Sequence, residues 1–105
     1  MANILEKIIQ DKKETLNLIK KNNSLDSLEK KIKSLNFFSN FKKTIQNNKG
    51  IGVISEIKKA SPSAGVLVKD FNHLDIAKMY VDNGATCLSA LTEEKHFLGK
   101  LDYIT

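Results

Sequence analysis

Apolar residues recur along the first half of the chain with helical spacing. Ile4, Leu5, Ile8, Ile9, Leu16 and Ile19 form a broken stripe with Lys and Glu between them, which predicts an amphipathic helix. Asn22, Asn23 and Ser24 interrupt it. Leu25, Leu28, Ile32 and Leu35 then make a second stripe of the same period. Phe37, Phe38 and Phe41 are expected to open a third short helix running towards Gln46, and to pack against something the helices cover. The run Asn-Asn-Lys-Gly at residues 47–50 is a turn signal, and the pattern changes after it. Residues 51–57 are a short apolar run rich in β-branched side chains, which predicts a buried strand. Asn72, with Asp75 three positions later, resembles a helix cap, and Ile76, Ala77, Tyr80 and Val81 follow at helical spacing. Gly84 fits the helix stop. Residues 87–91 read as a second buried strand, so the second half predicts a βαβ unit with parallel neighbouring strands. Residues 102–105 read as the first turn of another helix.

One connection is out of proportion. Residues 58–71 join the first strand to its helix, and that is fourteen residues, where βα loops ordinarily need about two to six. A long loop at the carboxyl end of a parallel strand is where α/β folds place ligands.

The chain has 105 residues, room for one modest domain. At 41% hydrophobic and 28% charged residues it has the make-up of an ordinary globular protein, which leaves function open. Charge changes the picture more. All 17 basic residues are Lys, and the net charge is +5. Residues 1–49 carry eleven Lys against five acids, whereas residues 50–105 carry six against seven. A basic first half raises the possibility of nucleic acid or an anionic surface. Such surfaces favour Arg forks and stacking aromatics. The chain has no Arg and no Trp, so the basic half reads as a solvated helical face. No apolar stretch is long enough to span a membrane, and the first twenty residues carry acids and lack the apolar core of a signal peptide. A cytoplasmic location is the resulting expectation. Cys87 is the only cysteine, which rules out an internal disulfide or a Cys cage, and its apolar surroundings suit a small buried hydrophobe.

Two segments could carry chemistry. Strand alternation puts Ile54, Glu56 and Lys58 on one face, and Val53, Ser55 and Ile57 on the other. The apolar set suits the side packed under a helix. Glu56 and Lys58 are then either a structural ion pair at a strand end or a functional acid and base. The second segment, residues 91–99, leaves the second strand at the same end of the sheet. Lys95 in it is either a solvated loop lysine or a proton donor with access to the strand ends. His73 and His96, without clustered ligands, argue against a metal site.

Together, and in this order, the two segments resemble the first two active-site motifs of indole-3-glycerol phosphate synthases. Glu56, Lys58, Lys59 and Ser61-Pro62-Ser63 match the first motif. Leu91, Thr92, Glu93, Glu94, Lys95, Phe97 and Gly99 match the second. Gly65-Val66, Asp70-Phe71, Ile76-Ala77, Tyr80 and Gly84-Ala85 match the stretch between. Ala64, His96 and Lys100 depart from the common pattern, at positions the family's chemistry does not depend on.

The resemblance implies an α/β fold of the (β/α)8 TIM-barrel type. This chain would supply amino-terminal helices over residues 1–48 and the start of the barrel over residues 49–105. It implies an enzyme of tryptophan biosynthesis that closes the indole ring of 1-(2-carboxyphenylamino)-1-deoxyribulose 5-phosphate, with loss of carbon dioxide and water and without cofactor or metal. Lys95 would be the general acid. Lys58 would contact the substrate's anionic groups and serve in a later proton transfer, and Glu56 would orient the lysines. Ser61 would touch substrate, Phe97 would wall the anthranilate ring, and residues 58–71 would form a flexible lid. A barrel of this type takes roughly 250 residues, so the later-strand general base and the phosphate cradle are expected beyond Thr105, and 105 residues alone are expected to be inactive and poorly stable. The expected partner is a phosphorylated small molecule, with no nucleic acid and no membrane, and fusion to or contact with another tryptophan-pathway enzyme is open. Two other readings also remain open at this point: a different phosphate-binding TIM-barrel enzyme, and a non-catalytic basic binding module.

Overall fold

The computed structural model describes residues 3–105. They group into two compact units that divide between Ser39 and Asn40.

The first unit holds α1 (Ile4–Asn22) and α2 (Leu25–Lys33). Each begins where a short polar side chain offers an oxygen to an orphan amide of the first turn. Asn3 accepts from the Glu6 amide at 2.9 Å, and Ser24 accepts from the Ser27 amide at 3.1 Å. Acids lie in the first turns (Glu6, Asp26) and lysines in the last (Lys20 and Lys21; Lys30, Lys31 and Lys33), which complements the helix dipole at both ends. The break expected at Asn22 to Ser24 is observed. Asn23 turns extended, and its backbone and side-chain N–H groups both donate to the Ile19 carbonyl, at 2.9 and 3.2 Å. Among the described residues, no helix is long and apolar enough to cross a membrane.

The second unit begins with α3 (Phe41–Gln46). The expectation that Phe37 opens this helix is corrected. Asn40 is the residue whose side chain accepts from the third helical amide, that of Lys43, at 2.9 Å, so the helix starts at Phe41. Phe37 and Phe38 stay outside it and are 80% and 64% exposed, so they do not form the expected packed cluster.

The parallel pair is β1 (Ile54–Ile57) against β4 (Cys87–Ala90), in the register Ile54 with Cys87, Ser55 with Leu88, Glu56 with Ser89 and Ile57 with Ala90. The strand expected from residue 51 starts at Ile54, and Ile51 is 93% exposed. The reason is local. The Val53 amide donates to the Thr86 hydroxyl at 3.0 Å, and the Val53 carbonyl accepts both the Thr86 and the Cys87 amides. The ladder therefore opens at a side-chain bond. At its far end the Leu91 amide donates to the Ile57 carbonyl at 3.0 Å.

Between the two strands runs α4 (His73–Asp82). Asn72 accepts from the Leu74 and Asp75 amides at 3.0 and 3.1 Å, as its spacing predicts. The exit is a Schellman closure. Gly84 has φ +93°, Ala85 N–H donates to the Tyr80 carbonyl and Gly84 N–H to the Val81 carbonyl. The Tyr80 hydroxyl donates to the Glu56 carbonyl at 3.0 Å and so ties helix to strand. Ile57, Ala60 and Cys87 are the buried apolar residues among those described. Ile57 and Cys87 lie on the paired strands, and the assignment of Cys87 as a small buried hydrophobe holds.

The cap gives a direct test. Asn72→Ala removes two amide acceptors at once, and a lost N-cap costs about 1 kcal/mol of helix stability. Amide hydrogen exchange across α4 should then run about fivefold faster, with α1 and α2 unchanged.

Candidate active site

Parallel pairing brings the carboxyl ends of β1 and β4 to the same end of the sheet. Everything the sequence marks as chemistry leaves from that end. Glu56 is the third residue of β1, and Lys58 follows the strand by one position. Alternation returns both side chains to one side, and Lys58 Nζ lies 3.7 Å from Glu56 Oε2. The two side chains are 34% and 44% exposed. An ion pair this open and this long gains little free energy, because solvent screens it. Its effect is to restrict where the lysine head group sits.

Residues 58–71 are more ordered than a plain loop or lid. They contain a small hairpin, β2 (Ala60–Ser61) antiparallel to β3 (Gly65–Val66). The Lys59 carbonyl extends it by accepting from Leu67 at 2.8 Å and from Val68 at 3.4 Å. Ser61 and Pro62 suit the first two positions of a turn, where Pro has its φ already set. Ser61 Oγ accepts the Ala64 amide at 3.2 Å and closes the turn. Gly65, at φ +67°, takes the left-handed conformation that follows. The hydroxyl expected to touch substrate is thus engaged with its own backbone through its oxygen, and its hydrogen is left to donate elsewhere.

The second segment is held from within. The Glu93 carboxylate accepts three consecutive backbone amides: Lys95 on Oε1 at 3.0 Å, and His96 and Phe97 on Oε2 at 2.7 and 3.0 Å. The Glu93 carbonyl accepts the Gly99 amide at 2.8 Å and closes the far side. Leu98 pays for the tight path with φ +52°. Gly99 is buried, and a Cβ there would collide with the Leu91 carbonyl. Lys95 is exposed at the start of this turn, and Phe97 is half-buried in it.

Of the five residues singled out from sequence, Glu56 and Lys58 are brought into direct contact. Ser61 lies three residues beyond Lys58 in the hairpin, and Lys95 and Phe97 ride the turn after the neighbouring strand. Sequence reading missed Glu93. It stood as one of two adjacent acids in a motif, and no spacing rule separates it from Glu94, which is exposed. The chain after this turn folds as a 3-10 helix, Leu101–Ile104, where a helical turn was expected at residues 102–105. Tyr103 in it stacks on His73 (ring centroids 4.6 Å apart, planes at 27°) and meets Phe71 at 5.4 Å. His73 is accounted for by that stack at the start of α4.

Comparison with known proteins agrees with the motifs. The family model described as indole-3-glycerol phosphate synthase matches residues 5–105. A curated indole-3-glycerol phosphate synthase of Clostridium acetobutylicum is 46% identical over 102 residues, covering 96% of this chain and 38% of the relative. That of Desulforamulus reducens is 43% identical over 101 residues, again 96% of this chain and 38% of the relative. That of a Prochlorococcus marinus strain is 47% identical over 103 residues, 97% of this chain and 35% of the relative. The chain therefore spans about two-fifths or less of the length of these relatives, and over nearly all of its own length it belongs to the indole-3-glycerol phosphate synthase family.

Proposed function

We propose that these residues form the acid-side half of an indole-3-glycerol phosphate synthase site. The observation that carries the reading is the Glu56–Lys58 pair at one strand end, beside the Lys95 turn that leaves the hydrogen-bonded neighbour at the same end. The substrate is 1-(2-carboxyphenylamino)-1-deoxyribulose 5-phosphate, which carries a phosphate and a carboxylate. Ring closure needs a proton delivered to the ketone oxygen as the aromatic carbon attacks the ketone carbon. Carbon dioxide then leaves, and water leaves last, with a second proton transfer.

Lys95 supplies the first proton. Lys58 neutralises the substrate's anionic charge and takes part in the dehydration, and the Glu56 carboxylate keeps its ammonium in place. Phe97 contributes apolar wall for the anthranilate ring. Ser61 donates its hydroxyl hydrogen to substrate. Residues 58–71 cover the site through movement of the hairpin as a body. The wider fold in this reading is a (β/α)8 barrel in the cytoplasm. Residues 1–48 are the helical extension and residues 49–105 the first βαβ unit, with a base and a phosphate cradle contributed by later strands. Contact with, or fusion to, a neighbouring enzyme of tryptophan synthesis accords with this role.

Three measurements test the assignment. The isolated 105-residue chain is expected to give no indole-glycerol phosphate, and measurable product would overturn the division of labour proposed here. In the full chain, including any residues encoded beyond Thr105, Lys95→Arg keeps the positive charge but cannot release a proton. Turnover should fall about 100-fold or more, and a wild-type rate would remove Lys95 from the acid role. Glu56→Gln in the same background should lower turnover by a similar factor. Because the ion pair is half-exposed, the accompanying loss of stability should stay under about 1 kcal/mol. A large loss of stability with no loss of turnover would mark the pair as structural.

A further inference from the structure

We infer that Glu93 is the positioning residue for Lys95. This rests on the reading of Lys95 as the proton donor. Two acids precede Lys95, and the fold treats them differently. The Glu94 side chain is at the surface, whereas Glu93 turns its carboxylate back on the chain and receives the amides of Lys95, His96 and Phe97. A carboxylate bonded to three amides is a charge-assisted anchor, stronger than neutral bonds of the same number. It works together with the Gly99 amide on the Glu93 carbonyl, so one residue holds both sides of the turn.

The geometry splits the work between the two oxygens. Oε2 takes His96 and Phe97, and Oε1 takes Lys95. The backbone of the proton donor and that of its two successors are thus held by different oxygens. A proton donor displaced by about 1 Å can lose on the order of 100-fold in rate, so the turn has a kinetic role that its small hydrogen-bond energies would not indicate. The Glu93 carboxylate is turned to the backbone of the turn. Glu93 acts through Lys95.

Glu93→Gln is the informative substitution. It keeps the shape but has one carbonyl oxygen, so an amide group must face either Lys95 N–H or the His96 and Phe97 pair. In the full chain, kcat should fall about 10- to 100-fold, and by more than KM rises, because Lys95 delivers the proton whereas Phe97, on the same turn, only walls the ring. Amide hydrogen exchange at residues 95–97 should accelerate, while exchange in α4 should not. Glu94→Gln should leave both unchanged.

A Glu93→Gln variant with wild-type kcat overturns the inference, and so does one in which kcat and KM worsen together with exchange across the whole second unit. Should this variant fail to fold, Glu93→Asp takes its place. Its carboxylate is drawn back by a methylene, so exchange at Lys95 should rise and kcat should fall together; faster exchange with unchanged kcat overturns the inference. The arms also separate the two readings. If Lys95→Arg turns over normally, the acid assignment fails and the positioning role falls with it. If Lys95→Arg is inactive and Glu93→Gln is not impaired, the positioning role alone falls.

Discussion

The parallel register between β1 and β4 governs everything else in the second unit. Side chains alternate along a strand with a period of two, so a slip of one residue would exchange the faces that Glu56 and the buried Ile57 occupy. The register is therefore pinned at both ends. At the start, the Thr86 hydroxyl takes the Val53 amide, and the Val53 carbonyl takes two amides in return. At the finish, the Leu91 amide reaches the Ile57 carbonyl. The Tyr80 hydroxyl on the Glu56 carbonyl adds a tie from the helix that crosses between the strands. Parallel pairing also forces a crossover, and the crossover returns the chain so that both strands finish at one end. That single constraint is why residues 37 positions apart in sequence, Lys58 and Lys95, leave the sheet on the same side.

The two segments that leave that end are organised by the same device at different strengths. Each folds back on itself by giving a side-chain oxygen to its own backbone. Ser61 offers a neutral hydroxyl to one amide, and a hairpin of two residues a side follows. Glu93 offers a full negative charge to three amides, and a turn so tight that Gly99 admits no Cβ follows. The first arrangement is compatible with movement of the hairpin as a unit. The second is compatible with a fixed lysine. Under the proposed function, a site that admits a substrate and delivers a proton to one of its atoms has use for one mobile and one rigid segment.

How much of this could be read from sequence depends on the range of the interaction. Several helix ends were legible from single residues: the break at Asn22 to Ser24 in the first unit, and Asn72 and Gly84 around α4. The pairing of Glu56 with Lys58 was legible too, since alternation alone puts them on one face. The start of α3 was misread because three phenylalanines suggested a packed stripe, whereas an asparagine placed the cap. The hairpin in residues 58–71 was invisible because two-residue strands are too short to show a period. Glu93 was invisible for a different reason. Its role depends on the path of the six residues that follow it, and that path is set by Leu98 at positive φ and by the close approach of Gly99 to Leu91.

The distribution of polar groups also constrains the chemistry of the proposed site. Glu56 is engaged with Lys58, and Glu93 with three backbone amides. The cations, by contrast, are carried at the ends of the segments, with Lys58 half-exposed and Lys95 exposed. Under the proposed function, these cations attract an anion and donate protons. Removing a proton is a separate task, and general acid and general base work best on groups whose environments hold their proton affinities apart. Separation in the fold achieves that more simply than competition at one strand end. The family resemblance on which the proposed function rests implies that arrangement, with the general base contributed by a later strand.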